Sequence, residues 1–254
     1  MFMAYHQSSE TNWDAGHRLW PLPNLPWVMK QTWNDLLFAH FPVAYDALRK
    51  LVPGVFPLDT YDGMCWIGVV PFHMTDIRLR GLPPIPGTDK FPELNVRTYV
   101  TIDGKPGVYF FSLDATNLLA IKVARTFYHL PYVQAKMKVR KHGDLLEFES
   151  KRKKGDARFV ADYRPISETY FAEKGSFEEW LVERYCLYTL SRKGVPLRCD
   201  ILHHPWLLQR AESKIKENTM LSSQDIVVED NSPILHYSKK LEVRMWPLVK
   251  AFGN

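Results

Sequence analysis

Glu93, Asn95, Arg97 and Tyr99 occupy every second position of one stretch of the chain. Side chains two apart in an extended strand share a face. A strand here therefore sets a carboxyl, an amide, a guanidinium and a phenol in one row. Such a row suits a small anionic ligand. The planar guanidinium fork grips a carboxylate or phosphate, and a carboxyl or phenol can move a proton. The alternate positions Leu94, Val96, Val100 and Ile102 are apolar. Two placements fit this alternation. In a sheet closed on itself, the polar row lines an interior. In a sheet lying on a core, the polar row meets water and the apolar row makes the core.

Arg125 and Tyr132 extend the candidate set. Arg125 falls on an expected helix just before Leu130-Pro131. It fits the rim of a pocket, and it also fits as partner to an acid such as Asp114. Tyr132 can donate to a ligand carbonyl or simply pack. His73, His203 and His204 offer proton-transfer groups. Adjacent strand residues face opposite ways, so His203 and His204 do not readily share one ion. The sequence contains no HExxH, no Cys/His cluster of zinc spacing, no GxSxG, no P-loop and no GxGxxG. No metal and no cofactor is expected.

The 254 residues are 46% hydrophobic and 24% charged, which fits a folded domain with a sizeable core. The net charge of +5 is mild. Its excess gathers between Lys136 and Arg158, where the Lys151-Arg-Lys-Lys154 run has no interleaved aromatics to stack bases. This stretch reads as a solvated hairpin rim, and nucleic acid is not an expected partner. Cys65, Cys186 and Cys199 form no disulfide framework and fit a reducing compartment. The polar start, without an apolar signal core, points to the cytoplasm. No apolar run reaches the roughly 18 residues a membrane helix needs.

The elements follow from the pattern. Residues 1–20 are expected as a flexible tail and 21–254 as one domain. A strand is expected over 33–41 and a helix from Pro42 to Val52, stopped by Pro53-Gly54. Strands are expected over 64–72, 94–102 and 108–113, the last two joined at Asp103-Gly104. A helix over 118–128 is capped by Thr116 or Asn117 and ended before Pro131. Strands recur from 136 to 163. Ser176-Phe-Glu-Glu179 is a capping box, predicting a helix from Phe177 to about Ser191. Strands over 197–204, 206–216 and 234–246 complete the chain.

Several blocks resemble the YqjF-like family of the acetoacetate decarboxylase-like superfamily. They include Leu37-Phe-Ala-His-Phe-Pro-Val43, Leu58-Asp-Thr-Tyr-Asp-Gly63, Trp66-Ile-Gly-Val-Val-Pro-Phe72 and Phe91-Pro-Glu-Leu-Asn-Val-Arg-Thr-Tyr-Val100. Gly107-Val-Tyr-Phe-Phe-Ser-Leu-Asp-Ala115, Glu183-Arg-Tyr-Cys-Leu-Tyr188 and His203-His-Pro-Trp-Leu-Leu-Gln209 continue it. The resemblance implies an α+β, mainly antiparallel fold: a cone-like or barrel-like sheet around a pocket, with a few peripheral helices. It makes Glu93, Asn95, Arg97, Tyr99, Arg125 and Tyr132 the expected ligand-binding residues. The decarboxylase uses a lysine that forms a Schiff base, placed after a proline that follows a helix. Here Tyr132 and Val133 follow Pro131, and a tyrosine forms no imine. The resemblance therefore implies a pocket for a small carboxylate or carbonyl compound without that lysine. The alternative is an enzyme acting on a keto acid. A homodimer is a further expectation, since so aromatic a sheet can bury an edge.

Overall fold

The computed structural model describes residues 15–252. Most of the expected tail, 1–14, lies outside the described residues. From Ala15 onward the chain is anchored. The buried Arg18 guanidinium pairs with Asp200 at 2.9 Å, and the Trp20 indole donates to the same carboxylate.

Twelve strands and three short helices follow. In order they are β1 (Met29–Val43), α1 (Tyr45–Arg49), β2 (Cys65–Leu79), β3 (Phe91–Ile102), β4 (Lys105–Ala115), α2 (Leu118–Phe127), β5 (Tyr132–His142), β6 (Leu145–Arg152) and β7 (Arg158–Pro165). Then come β8 (Tyr170–Phe171), α3 (Phe177–Val182), β9 (Cys186–Leu190), β10 (Pro196–Leu202), β11 (Leu207–Asn218) and β12 (Ile234–Lys250).

Pairing is mostly antiparallel and closes on itself. The order runs β3-β2-β1-β12-β10-β9-β4, and β4 pairs again with β3. The closing step is local. Asp103 and Gly104 both take positive φ, at 50° and 68°. That backbone turns tightly in the sense that matches strand twist. A second circuit leaves β4 through β5, β6, β7 and β11, and returns to β12. Helix α2 is the crossover that the parallel β4–β5 pairing requires.

Two apolar cores result. Leu36 and Phe38 of β1, Val70 and Phe72 of β2, Val108 of β4, Leu187 of β9, Ile201 of β10 and Val243 of β12 meet inside the first circuit. Leu37 and Ala39, Ile67 and Val69, and Leu94 and Val96 point the other way. They pack against Leu146 and Phe148 of β6 and Phe159 of β7. Strand β3 is thus buried on both sides.

Two helices are shorter than their sequence patterns. Pro42 and Val43 stay in β1 opposite Trp66 and Cys65, so α1 begins only at Tyr45. The Ser176 cap forms as expected, its hydroxyl accepting the Glu179 amide at 3.2 Å. Glu179 reaches back one residue further, to the Gly175 amide. But α3 ends at Val182, not near Ser191. Glu183 leaves helical geometry, and Cys186–Leu190 joins the circuit between β10 and β4. Its Cys-Leu-Tyr-Thr-Leu sequence suits a strand.

The basic stretch is a charge ladder. Lys138 lies opposite Glu149 and Arg140 opposite Glu147, while Arg158 reaches Glu149 and Glu217 at 3.1 Å each. Opposite charges facing across strands are an ordinary solvated sheet surface. Among the described residues, no helix is long and apolar enough to cross a membrane.

Closure leaves no spare room where β4 meets β9. A Cβ on Gly107 would lie 2.6 Å from Cys186 Sγ and 2.7 Å from the Cys186 carbonyl oxygen. Gly107→Ala is therefore expected to cost about 2 kcal/mol or more, as overpacking of a tight interior does. Urea unfolding checks this: the midpoint falls while the slope stays unchanged.

Candidate functional site

Inside the first circuit lies a small cavity of about 70 Å³. One water needs roughly 10–15 Å³ on this scale, so the cavity holds a few waters or a molecule of few heavy atoms. Strand β3 supplies Glu93, Asn95 and Arg97, and the first residue of β5 supplies Tyr132. Gln31, Arg184 and His203 complete the polar lining. Trp33, Leu36, Phe72, Val108, Leu187 and Trp206 are among its apolar walls. The polar row of β3 faces this interior, and the apolar row faces the second core.

Arg97 is 7% exposed and makes no ion pair with any described residue. Its Nε has no hydrogen-bond partner. Its neighbours are the Phe38 ring, with the guanidinium carbon 5.3 Å from the centroid, and Gly68, whose missing side chain leaves space beside Arg97 Cγ and His40 Cδ2.

Glu93 behaves differently. It is 2% exposed, and burial pushes its carboxyl up to about 8. Nearby Asp114 adds to the rise, while hydrogen bonds from Tyr132 and Asn95 oppose it. The Tyr132 hydroxyl donates to Glu93 Oε2 at 2.8 Å. Burial and Glu93 together hold the Tyr132 phenol well above its ordinary value. Asn95 Oδ1, also buried, has no partner. Near neutral pH the cavity therefore presents two arginine cations and a largely uncharged carboxyl.

Two expected site residues sit elsewhere. Tyr99 does not line the cavity. Its hydroxyl lies 2.6 Å from His40 Nε2, and its ring packs under the Arg184 guanidinium at 4.7 Å. Arg125 is exposed on α2 and donates to the Tyr132 carbonyl, with Nε at 2.8 Å. It neither reaches the pocket nor pairs with Asp114, whose carboxylate is held by Arg152 at 2.9 Å. Arg125 instead fixes the start of β5, and so the position of Tyr132.

Sequence reasoning missed Arg184, because a long helix was expected there. Its Nη1 meets Asp59 Oδ2 at 2.5 Å and its Nε donates to the Trp180 carbonyl at 2.7 Å, leaving Nη2 without a partner. Arg184 also lines an open groove of about 1470 Å³ walled by Trp20, Tyr61, Trp180 and Tyr185. It is the one residue common to both linings. His203 is held down to about 4 by burial, and so is neutral. His204 lies on the groove, not the cavity. The two histidines diverge in the loop between β10 and β11, beyond the strand expected to hold them. Lys122, Lys136 and Lys138 are exposed, and no lysine lines the cavity.

The fold is shared with several solved structures. The biosynthetic enzyme MppR complexed with pyruvate superposes with a TM-score of 0.62 at 8% identity, covering 90% of this chain and 91% of its own. An acetoacetate decarboxylase-like enzyme from Sphingomonas wittichii RW1 gives 0.59 at 12%, covering 92% and 97%. Acetoacetate decarboxylase from Legionella pneumophila gives 0.57 at 14%, covering 91% and 92%. The fold is that of the acetoacetate decarboxylase-like proteins. Within that class the chain belongs to the DUF2071 family of uncharacterized conserved proteins, whose model matches residues 30–242. It is 54% identical over 230 residues to the uncharacterized protein YqjF of Bacillus subtilis strain 168, covering 90% of this chain and 95% of that one.

The raised Glu93 carboxyl makes stability depend on pH. The ordinary value is 4.5 and the folded value about 8. Between them the folded protein keeps a proton that the unfolded chain releases. Stability therefore falls as pH rises through this window, by on the order of 5 kcal/mol in all. Glu93→Gln cannot ionise. Measured by urea unfolding at pH 5 and pH 8, the variant is expected to lose several kcal/mol less than the parent. Equal losses would show that Glu93 is not the group responsible.

Proposed function

We propose that this protein binds a small carboxylate that also carries a carbonyl group, inside the cavity and without imine chemistry. The observation that carries the reading is Arg97, a buried guanidinium facing a ligand-sized space with no protein carboxylate paired to it. Leaving a charge unpaired in an interior costs several kcal/mol. A ligand carboxylate removes that cost through two parallel hydrogen bonds. Arg184 adds positive charge, and the largely protonated Glu93 adds little repulsion. The cavity size selects few-atom ligands. The pyruvate named with MppR is such a molecule, held by a protein of the same fold. Without a lysine in the lining, the ligand is held by charge and hydrogen bonds alone. Three buried free cysteines fit a reducing compartment such as the cytoplasm.

Thermal unfolding with pyruvate, 2-oxobutyrate, oxalate or acetone tests this. The carboxylates are expected to raise Tm by roughly 5 °C at a hundredfold excess over Kd, by mass action. Neutral acetone is expected to leave Tm unchanged. Arg97→Met abolishes the shift, and Arg97→Lys retains part of it. No shift with any short carboxylate would refute the reading.

A further inference from the structure

Three cavity groups stand in a fixed order along β3, and two of them have an unpartnered buried atom. Arg97 Nε is a donor without an acceptor, and Asn95 Oδ1 is an acceptor without a donor. Glu93 follows, held by Tyr132 at 2.8 Å and bonded by the Asn95 side chain. All three line the same small space. A 2-oxo acid carries its groups in the same order: carboxylate at C1, oxygen at C2, acidic C–H at C3. Its keto form offers Asn95 Oδ1 no hydrogen. Its enol form offers an O–H.

We propose that the cavity catalyses keto–enol isomerisation of a short 2-oxo monocarboxylate, with Arg97 holding C1, Glu93 moving the C3 proton and Asn95 accepting the enol hydroxyl. This rests on the carboxylate-binding reading above. In the forward step a Glu93 carboxylate oxygen takes the C3 proton. The C3–H electron pair becomes the C2=C3 double bond, and the C2=O pair moves onto oxygen. Glu93 then gives a proton to that oxygen and returns to its carboxylate form. Nothing is oxidised, and no group leaves. A buried acceptor that pairs only with the enol hydroxyl stabilises the enol once its proton has been delivered. The lining has no lysine, so the carbonyl is activated by these contacts and not by an imine.

The other titratable groups facing the cavity do not compete for this role. His203, held down to about 4, titrates well below neutral, and the Tyr132 phenol titrates well above.

Pyruvate in D₂O provides the test, since Glu93 exchanges its captured proton with solvent before returning it. Loss of the methyl signal by proton NMR is expected to run at least tenfold above protein-free buffer. The rate should rise about tenfold per pH unit below about 8 and level off above it. Glu93→Gln should reduce exchange to the buffer rate while pyruvate still raises Tm. Exchange that persists in Glu93→Gln, or a flat pH profile in the unaltered protein, would overturn the proposal, and the second readout needs no variant to fold. If pyruvate raises Tm but no exchange occurs, isomerisation fails and binding stands. If pyruvate neither binds nor exchanges, both fail.

Discussion

Strand β3 has no solvent side, and this constraint organises the molecule. Its edges are taken by β2 and β4, so it cannot serve as an edge strand. Its apolar row packs against β6 and β7 across the second core. Its polar row is turned into the first circuit, where water is scarce. Polar groups so placed must find partners or wait for them. Glu93 finds Tyr132. Arg97 and Asn95 are left with buried atoms unpaired. Unpaired polar groups in an interior cost stability that apolar side chains would not.

The supporting residues show how the arrangement is held. Arg184 is clamped by Asp59 and by the Trp180 carbonyl, and its guanidinium covers the Tyr99 ring. Tyr99 bonds to His40, and both flank Arg97 through the space that Gly68 leaves open. The Glu183 carboxylate takes the Trp206 amide at 2.8 Å, which ties the loop carrying His203 and Trp206 to the end of α3. On the opposite side, Arg125 grips the Tyr132 carbonyl. Several cavity residues thus lean on neighbours outside the lining. That is how a small site keeps its geometry.

The relation to the decarboxylase-like structures is one of shared scaffold. Identities of 8–14% carry the fold and nothing finer. The position after Pro131 is the telling one. Tyr132 reaches into the cavity from there and hydrogen-bonds the buried Glu93. The position after Pro131 therefore carries a phenol paired to a buried carboxyl.

Much was legible in the sequence. The two-residue period of Glu93 to Ile102, the Asp103-Gly104 turn, the Asn117 and Ser176 caps and the strands after Lys136 are local signals that local backbone preference obeys. So is the absence of a lysine after Pro131. The lengths of α1 and α3 were not legible. Pro42 and Cys186–Leu190 were drawn into strands by partners distant in sequence, and sheet pairing outweighs a few tenths of a kcal/mol of helix preference. Arg184 and Trp206, in loops outside any strand, joined the lining through contacts with segments distant in sequence. The sequence determined that Glu93, Asn95 and Arg97 share a face. Only the tertiary structure decided that this face looks inward, because closure of a sheet depends on which strands meet at its edges, and that is a property of the whole chain.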